Sequence, residues 1–270
     1  MSVIDQLFTD LRAAGRKALM PFVTAGDPDL DFTSAIIREL ASRGCSLCEV
    51  GIPYSDPIAD GPVIQASYTR ALERDIKLRD IFQSLTSLRG NLTMPLVTMV
   101  SYAIVYRIGL ERYVAEAQQA GVAGAIVPDL PVEESARLAD LCRREDFSLI
   151  QLITPTTPRS RATRIAAQSS GFLYYVSVTG ITGERRELPP ELIDSVSWLK
   201  EQTDLPVCIG FGISTREHVR LLSPVADGLI VGSAIVRRIA AAGQDSSADL
   251  RQHVVQDVGQ FAESLLTELN

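Results

Sequence analysis

The sequence predicts an α/β fold: a closed parallel (β/α)8 barrel with an extra N-terminal helix and a long C-terminal helix. Three observations carry this. Short β-branched runs alternate with longer helical patterns, the signature of βαβ units and a parallel sheet. About eight such runs are present, the strand count of a closed barrel. The chain has 270 residues, 46% of them hydrophobic, and barrels of this kind commonly run to about 250 residues. An open doubly wound sheet is the alternative, but no G-x-G-x-x-G follows the first strand.

In chain order, residues 1–8 read as an amphipathic helix without the basic start and apolar centre of a signal peptide. Strands are predicted at 18–23, 47–52, 96–100, 124–127, 148–153, 172–176, 207–210 and 228–231. Helical patterns cover 33–43, 65–88, 111–120, 133–143 and 190–201. Gly44 and Gly121 stop helices, and Pro95 and Pro206 precede strands. The 65–88 pattern is long and polar-faced, so it is expected outside the barrel. Residues 248–269 form a periodic helix that caps the barrel. The whole of 1–270 is expected to be one domain.

Composition excludes several classes. A net charge of -7 argues against a nucleic-acid or anionic-membrane partner. No apolar run approaches the roughly 18 residues of a membrane span, so a soluble cytoplasmic protein is expected. Cys45 and Cys48 form a C-x-x-C that leads into a strand rather than a helix. Cys142 and Cys208 lie singly on other elements, so all four read as packing cysteines and no metal site is expected.

The stretch with most chemistry runs from Glu49 to Pro62. A carboxylate set into the apolar strand 47–52 costs several kcal/mol unless paired, hydrogen-bonded or protonated. That is a poor way to build a core and a good way to raise a carboxyl pKa for proton transfer. The loop after it adds Asp56 and Asp60, at the strand end where parallel α/β proteins place their chemistry. A structural hydrogen-bonding role for Glu49 is the alternative. Phe22, at the end of the first strand, fits either a pocket floor or ordinary barrel packing, and Ile153 is a plausible apolar wall.

A second signal lies after the last two strands. Gly210-Phe211-Gly212 and Gly232-Ser233 each open a helix, and Gly183 follows the sixth strand. Glycine admits backbone N–H groups close to an oxyanion, so these loops predict a phosphate site. No lysine lies in them, so binding would rest on backbone donors. The charged, glycine-bearing segment up to Leu188 is long for a βα connection and predicts a lid that brings Thr182 towards Asp56. The three lysines and two histidines lie in helical patterns or before the first strand, which disfavours a Schiff base, a histidine base or a histidine-rich metal site. Proton transfer is left to Glu49 and Asp60, with Tyr174 assisting. From residues alone this is a metal-free barrel enzyme acting on a small phosphorylated substrate.

The wording EVGIPYSDPIADGPVIQ, with FVTAGDPD, PVEES, VTGITG, GFGIS and VGSAIV, resembles the tryptophan synthase alpha chain family from Phe22 to about Val236. The resemblance implies retro-aldol cleavage of indole-3-glycerol phosphate to indole and glyceraldehyde 3-phosphate. Glu49 would protonate the ring carbon and take the glycerol hydroxyl proton, while Asp60 handles the indole N–H. It favours the pocket role for Phe22, makes Tyr174 the inward member of Tyr174-Tyr175, and puts Tyr102 on the indole pocket. Ile104 stands where the family usually has asparagine. Asp129, otherwise a turn acceptor, becomes part of the rim and partner contact. The loop of Pro53, Tyr54 and Asp56 becomes a docking surface for a tryptophan synthase beta chain in an alpha2-beta2 heterotetramer. Pyridoxal phosphate belongs to that partner, and no cofactor is implied for this chain. A stand-alone indole-releasing lyase and another phosphate-binding barrel enzyme of the same pathway are the alternatives.

Overall fold

The computed structural model describes residues 2–57, 60–177, 190–210, 212–243 and 247–270. The elements follow one another as α1 (Val3–Ala13), β1 (Ala18–Thr24), α2 (Leu30–Ser42), β2 (Cys48–Gly51), α3 (Pro62–Leu72), α4 (Leu78–Thr86) and β3 (Leu96–Met99). Then come α5 (Tyr102–Ile108), α6 (Leu110–Gln119), β4 (Val122–Ile126), α7 (Ala136–Arg144), β5 (Ser148–Ile150), β6 (Leu152–Ile153) and α8 (Arg159–Gln168). The chain ends with β7 (Leu173–Val176), α9 (Pro190–Gln202), β8 (Val207–Gly210), α10 (Arg216–Leu222), β9 (Gly228–Val231), α11 (Ser233–Ile239) and α12 (Ala248–Leu269).

All strand pairs are parallel, in the order β5-β4-β3-β2-β1-β9-β8-β7-β6. The two strands at the ends of that order are consecutive pieces of one predicted strand, interrupted at Gln151, so the sheet curls into a nearly closed barrel. The interruption does not break the seam, because the Gln151 carbonyl accepts the Tyr174 N–H at 3.2 Å.

Strand side chains alternate between two apolar layers, as a period of two requires. Met20, Phe22, Val97, Met99, Ile126, Ile150, Phe172, Tyr174 and Ile230 fill the barrel. Leu19, Val23, Val50, Leu149, Leu173, Tyr175, Ile209 and Leu229 face the helices. Helix α1 belongs to the inner layer. Its Ile4, Phe8 and Leu11 plug the end where the strands begin, and Phe8 lies 5.7 Å from Phe172 between ring centres. Helix α12 covers the outside instead, with Val258, Ala262 and Leu265 buried in the outer layer. Among the described residues no helix is long and apolar enough to cross a membrane.

The predicted helix 65–88 is two helices. The chain turns between α3 and α4 through Asp75, which has a φ of 54°, a left-handed geometry that ends helical hydrogen bonding. Nor does its first half lie outside the barrel. Ile64 and Tyr68 of α3 join the inner cluster, so this helix roofs part of the mouth.

Candidate active site

Strand β2 carries Glu49 into the barrel because its neighbours Cys48 and Val50 take the outward positions. Glu49 is 2% exposed, and its Oε1 has no hydrogen-bond partner. Burial, and then the nearby Asp60, push its carboxyl up to about 8. An unpaired carboxyl in apolar surroundings keeps its proton, because the charged form loses its hydration and gains nothing in return.

Asp60 sits at the entry to α3, where Gly61 caps the helix and Pro62 opens it, a position suited to proline's fixed φ and missing N–H. Its N–H donates to the Pro57 carbonyl at 3.0 Å, and its own carbonyl accepts from Gln65 Nε2 at 2.7 Å. Its carboxyl is pushed up to about 6 by burial. The two acids are therefore separated in proton affinity, one holding its proton at neutral pH and the other releasing it.

Tyr174 is buried on the inner face of β7, and burial, then Glu49 and Asp60, hold its hydroxyl well above the ordinary tyrosine range. The hydroxyl end of the ring packs against Gly210 of the neighbouring strand: a Cβ there would meet the Tyr174 Oη at 2.6 Å. Gly51 does the same for two other rings, with Phe22 Cε2 at 2.7 Å and the Tyr68 Oη at 2.8 Å from where its Cβ would stand. Both positions need glycine for close approach rather than for backbone freedom.

A cavity with about 580 Å³ of atom-free space opens between these groups at the ends of the strands. Phe22, Glu49, Asp60, Tyr174, Gly212, Gly232 and Ser233, all singled out from the sequence, line it. Ile64, Met99, Ile213 and Arg237 line it too and were not. Thr182, Gly183 and Phe211, with the predicted lid segment from Val178 up to Leu188, lie outside the described residues.

Two expected wall residues are elsewhere. Ile153 packs in the outer layer, and its neighbour Leu152, paired in register with Tyr174, takes the inner face. The break at Gln151 leaves the alternation intact, so the inner series runs Ile150, Leu152. Tyr102 does not line the cavity. It is half-buried at the start of α5, 6.0 Å from Tyr106 between ring centres. Asp129 accounts for this: its carboxylate accepts the Tyr102 N–H and the Ser101 hydroxyl, each at 2.7 Å, and so caps α5. The remaining rim residues divide. Pro53 is buried, Asp56 is exposed and accepts from its neighbour Ser55, and Tyr54 lies 5.6 Å from Tyr68 between ring centres. Burial, then Asp60 and Asp129, push the Tyr54 hydroxyl up to about 12.

All four cysteines are buried and free. Burial raises each thiol, Cys45 to about 12, which makes them packing groups rather than nucleophiles. Among the described residues no group of three or more His, Cys, Asp or Glu side chains is placed to hold a metal ion.

The sequence model of the tryptophan synthase alpha chain matches residues 8–265. The chain belongs to the tryptophan synthase alpha chain family. A tryptophan synthase alpha chain from Rhodopirellula baltica is 58% identical over 271 residues, covering 98% of each chain. The crystal structure of tryptophan synthase subunit alpha from Legionella pneumophila superposes with a TM-score of 0.89 at 32% identity, over 100% of this chain and 98% of that one. A chain in the crystal structure of the tryptophan synthase complex from Pyrococcus furiosus gives 0.82 at 35% identity, over 93% and 99%. The nearly closed barrel is thus the fold shared with these structures.

Proposed function

We propose that Glu49, Asp60 and Tyr174 carry the retro-aldol cleavage of indole-3-glycerol phosphate to indole and glyceraldehyde 3-phosphate. The chain is a carbon–carbon lyase, the alpha subunit of tryptophan synthase in tryptophan biosynthesis. It needs no cofactor of its own; the pyridoxal phosphate belongs to the beta chain with which it assembles. The observation that supports these residue roles is the buried, unpartnered Glu49 carboxyl sharing one cavity with Asp60.

In the first step protonated Glu49 gives its proton to the indole ring carbon that bears the side chain, while ionised Asp60 takes the N–H proton. The ring becomes the imine-like tautomer, which can accept an electron pair. Glu49, now ionised, removes the proton of the adjacent glycerol hydroxyl. That C–O becomes the aldehyde, the carbon–carbon bond breaks, its electrons flow through the ring to nitrogen, and Asp60 returns the proton there. Each acid ends as it began, and the ring is the electron sink that a lysine or a metal supplies elsewhere. Two carboxyls with separated proton affinities are what such a sequence requires. Tyr174 stays protonated and serves as a hydrogen-bond donor beside them.

Phe22, Ile64 and Met99 form the apolar side of the cavity and suit the indole ring. Gly212, Gly232 and Ser233 suit the phosphate, with Gly183 and Phe211 as further contacts. Thr182 acts from a lid, and Tyr102 and Ile153 support the pocket from outside the cavity. Pro53, Tyr54, Asp56 and Asp129 belong to the rim that meets the beta chain. The same reading takes residues 1–270 as one domain working in the cytoplasm.

The deciding experiment is indole release from indole-3-glycerol phosphate by the purified chain, with and without a tryptophan synthase beta chain. Weak release alone that rises strongly with the partner is expected. Release that is strong and indifferent to the partner would make the chain a stand-alone lyase, and no release in either condition would remove the mechanism.

A further inference from the structure

Among the described residues lining the cavity, Arg237 is the one that carries a positive charge. It stands on α11 four positions after Ser233, so the two side chains lie one above the other on the same helix face. Both line the cavity that holds Glu49 and Asp60.

The next residue shows what an arginine of this helix does when it serves the scaffold. Arg238 donates from Nη1 to the Ala234 carbonyl at 3.0 Å and pairs through Nε with Asp257 at 3.3 Å. Its guanidinium lies 3.6 Å from the centre of the Phe261 ring. Arg237 has none of this. It is exposed and has no hydrogen bond, ion pair or ring contact with the described residues.

A phosphate monoester brings up to two negative charges into a cavity that already holds two carboxyls, on a chain of net charge -7. Backbone N–H groups can orient that anion but add no net charge. A guanidinium adds both charge and a planar fork that matches phosphate oxygens. We infer that Arg237 is a binding residue for the substrate's phosphate, supplying the positive charge that the glycine-bearing loops lack. The inference rests on the assigned reaction for its substrate and on the cavity for its geometry.

The test compares the full chain with Arg237→Gln and Arg237→Lys, each assayed with the beta chain and titrated with inorganic phosphate by calorimetry. For Arg237→Gln the KM for indole-3-glycerol phosphate is expected to rise about tenfold, equivalent to about 1.4 kcal/mol. The loss falls on KM rather than kcat, as for an interaction made equally in ground and transition states. Phosphate affinity falls in parallel, and Arg237→Lys restores part of both. A folded Arg237→Gln chain with unchanged phosphate affinity overturns the inference. If the unaltered chain releases no indole, the reaction assignment falls instead, and the phosphate titration still decides for or against Arg237.

Discussion

Arg70 grips Asp27 through two parallel hydrogen bonds, 2.9 Å from Nε to Oδ1 and 2.7 Å from Nη2 to Oδ2, and the aspartate is 1% exposed. The pair ties the end of β1 to α3, the helix that begins beside Asp60 and carries Ile64 into the cavity. A second tie, between the hydroxyls of Thr24 and Ser67 at 2.6 Å, runs beside it. Arg70→Leu leaves a buried carboxylate uncompensated. Loss of one partner of a fully buried pair costs about 3–5 kcal/mol. Because Arg70 is about one-third exposed, a loss of about 2–3 kcal/mol is expected. Urea unfolding measures it, and kcat/KM should fall as well because the roof of the site loosens.

Glu49→Gln removes the acid proposed to move two protons. Turnover should fall by about 10²–10⁴-fold or more, while the variant stays folded. Steady-state assay beside circular dichroism checks both, and retained turnover would remove Glu49 from the mechanism.

The same substitution has a stability signature with a definite sign. The Glu49 carboxyl stands at about 8 in the folded chain against an ordinary 4.5. A raised folded pKa means the folded state holds a proton that the unfolded chain has released. Its contribution is therefore fully present below about pH 4.5 and is lost as pH rises through about 8. Glu49→Gln abolishes that decline, so the variant should be the more stable protein near pH 8. Urea midpoints of both chains across this window test it; parallel curves would show that Glu49 is ionised in the folded state.

The pH dependence of kcat/KM should be bell-shaped. Asp60 must be ionised, which requires pH above about 6, and Glu49 must start protonated, which requires pH below about 8. Asp60→Asn should depress the whole profile and erase its acidic limb. A variant that keeps the acidic limb would assign it to another group.

Gly210→Ala puts a methyl group against the Tyr174 ring, which is buried on the crowded inner face. Overpacking of this kind costs about 1–3 kcal/mol. Activity should suffer more than stability, because the ring that moves lines the same cavity as both acids. Urea unfolding and steady-state assay of the variant measure the two effects. A Tyr174→Phe control separates loss of the hydroxyl from displacement of the ring.

The barrel is legible in the sequence because strand and helix periods alternate cleanly. Seven of the predicted strands are single strands and the eighth is split only at Gln151. Glu49 is legible because a carboxylate in an apolar strand is too costly to bury for packing alone, and Asp60 because it follows in the loop at that strand's end. What escapes is local. The turn at Asp75 carries no glycine or proline, so the 65–88 pattern reads as one helix. Ile153 and Leu152 are both apolar, and only the register with Tyr174 and Tyr175 shows which faces inward. Arg237 is hidden because it lies past the glycine loop, next to an arginine of identical type. The one cue is its four-residue spacing from Ser233.

The pairing of β1 with β9 also sets an order in time. Ala18 takes its place beside Gly228 and Lys17 donates its N–H to the Asn270 side chain at 2.7 Å. While the chain is being synthesised, β2 can soon cover one edge of β1, but the other edge waits for a strand made near the end. An uncovered edge is a template for pairing with foreign strands. A chain cut short before β9 therefore exposes a sticky edge as well as lacking half of the proposed phosphate site, so it should be cleared as a misfolding hazard rather than persist as a weaker enzyme.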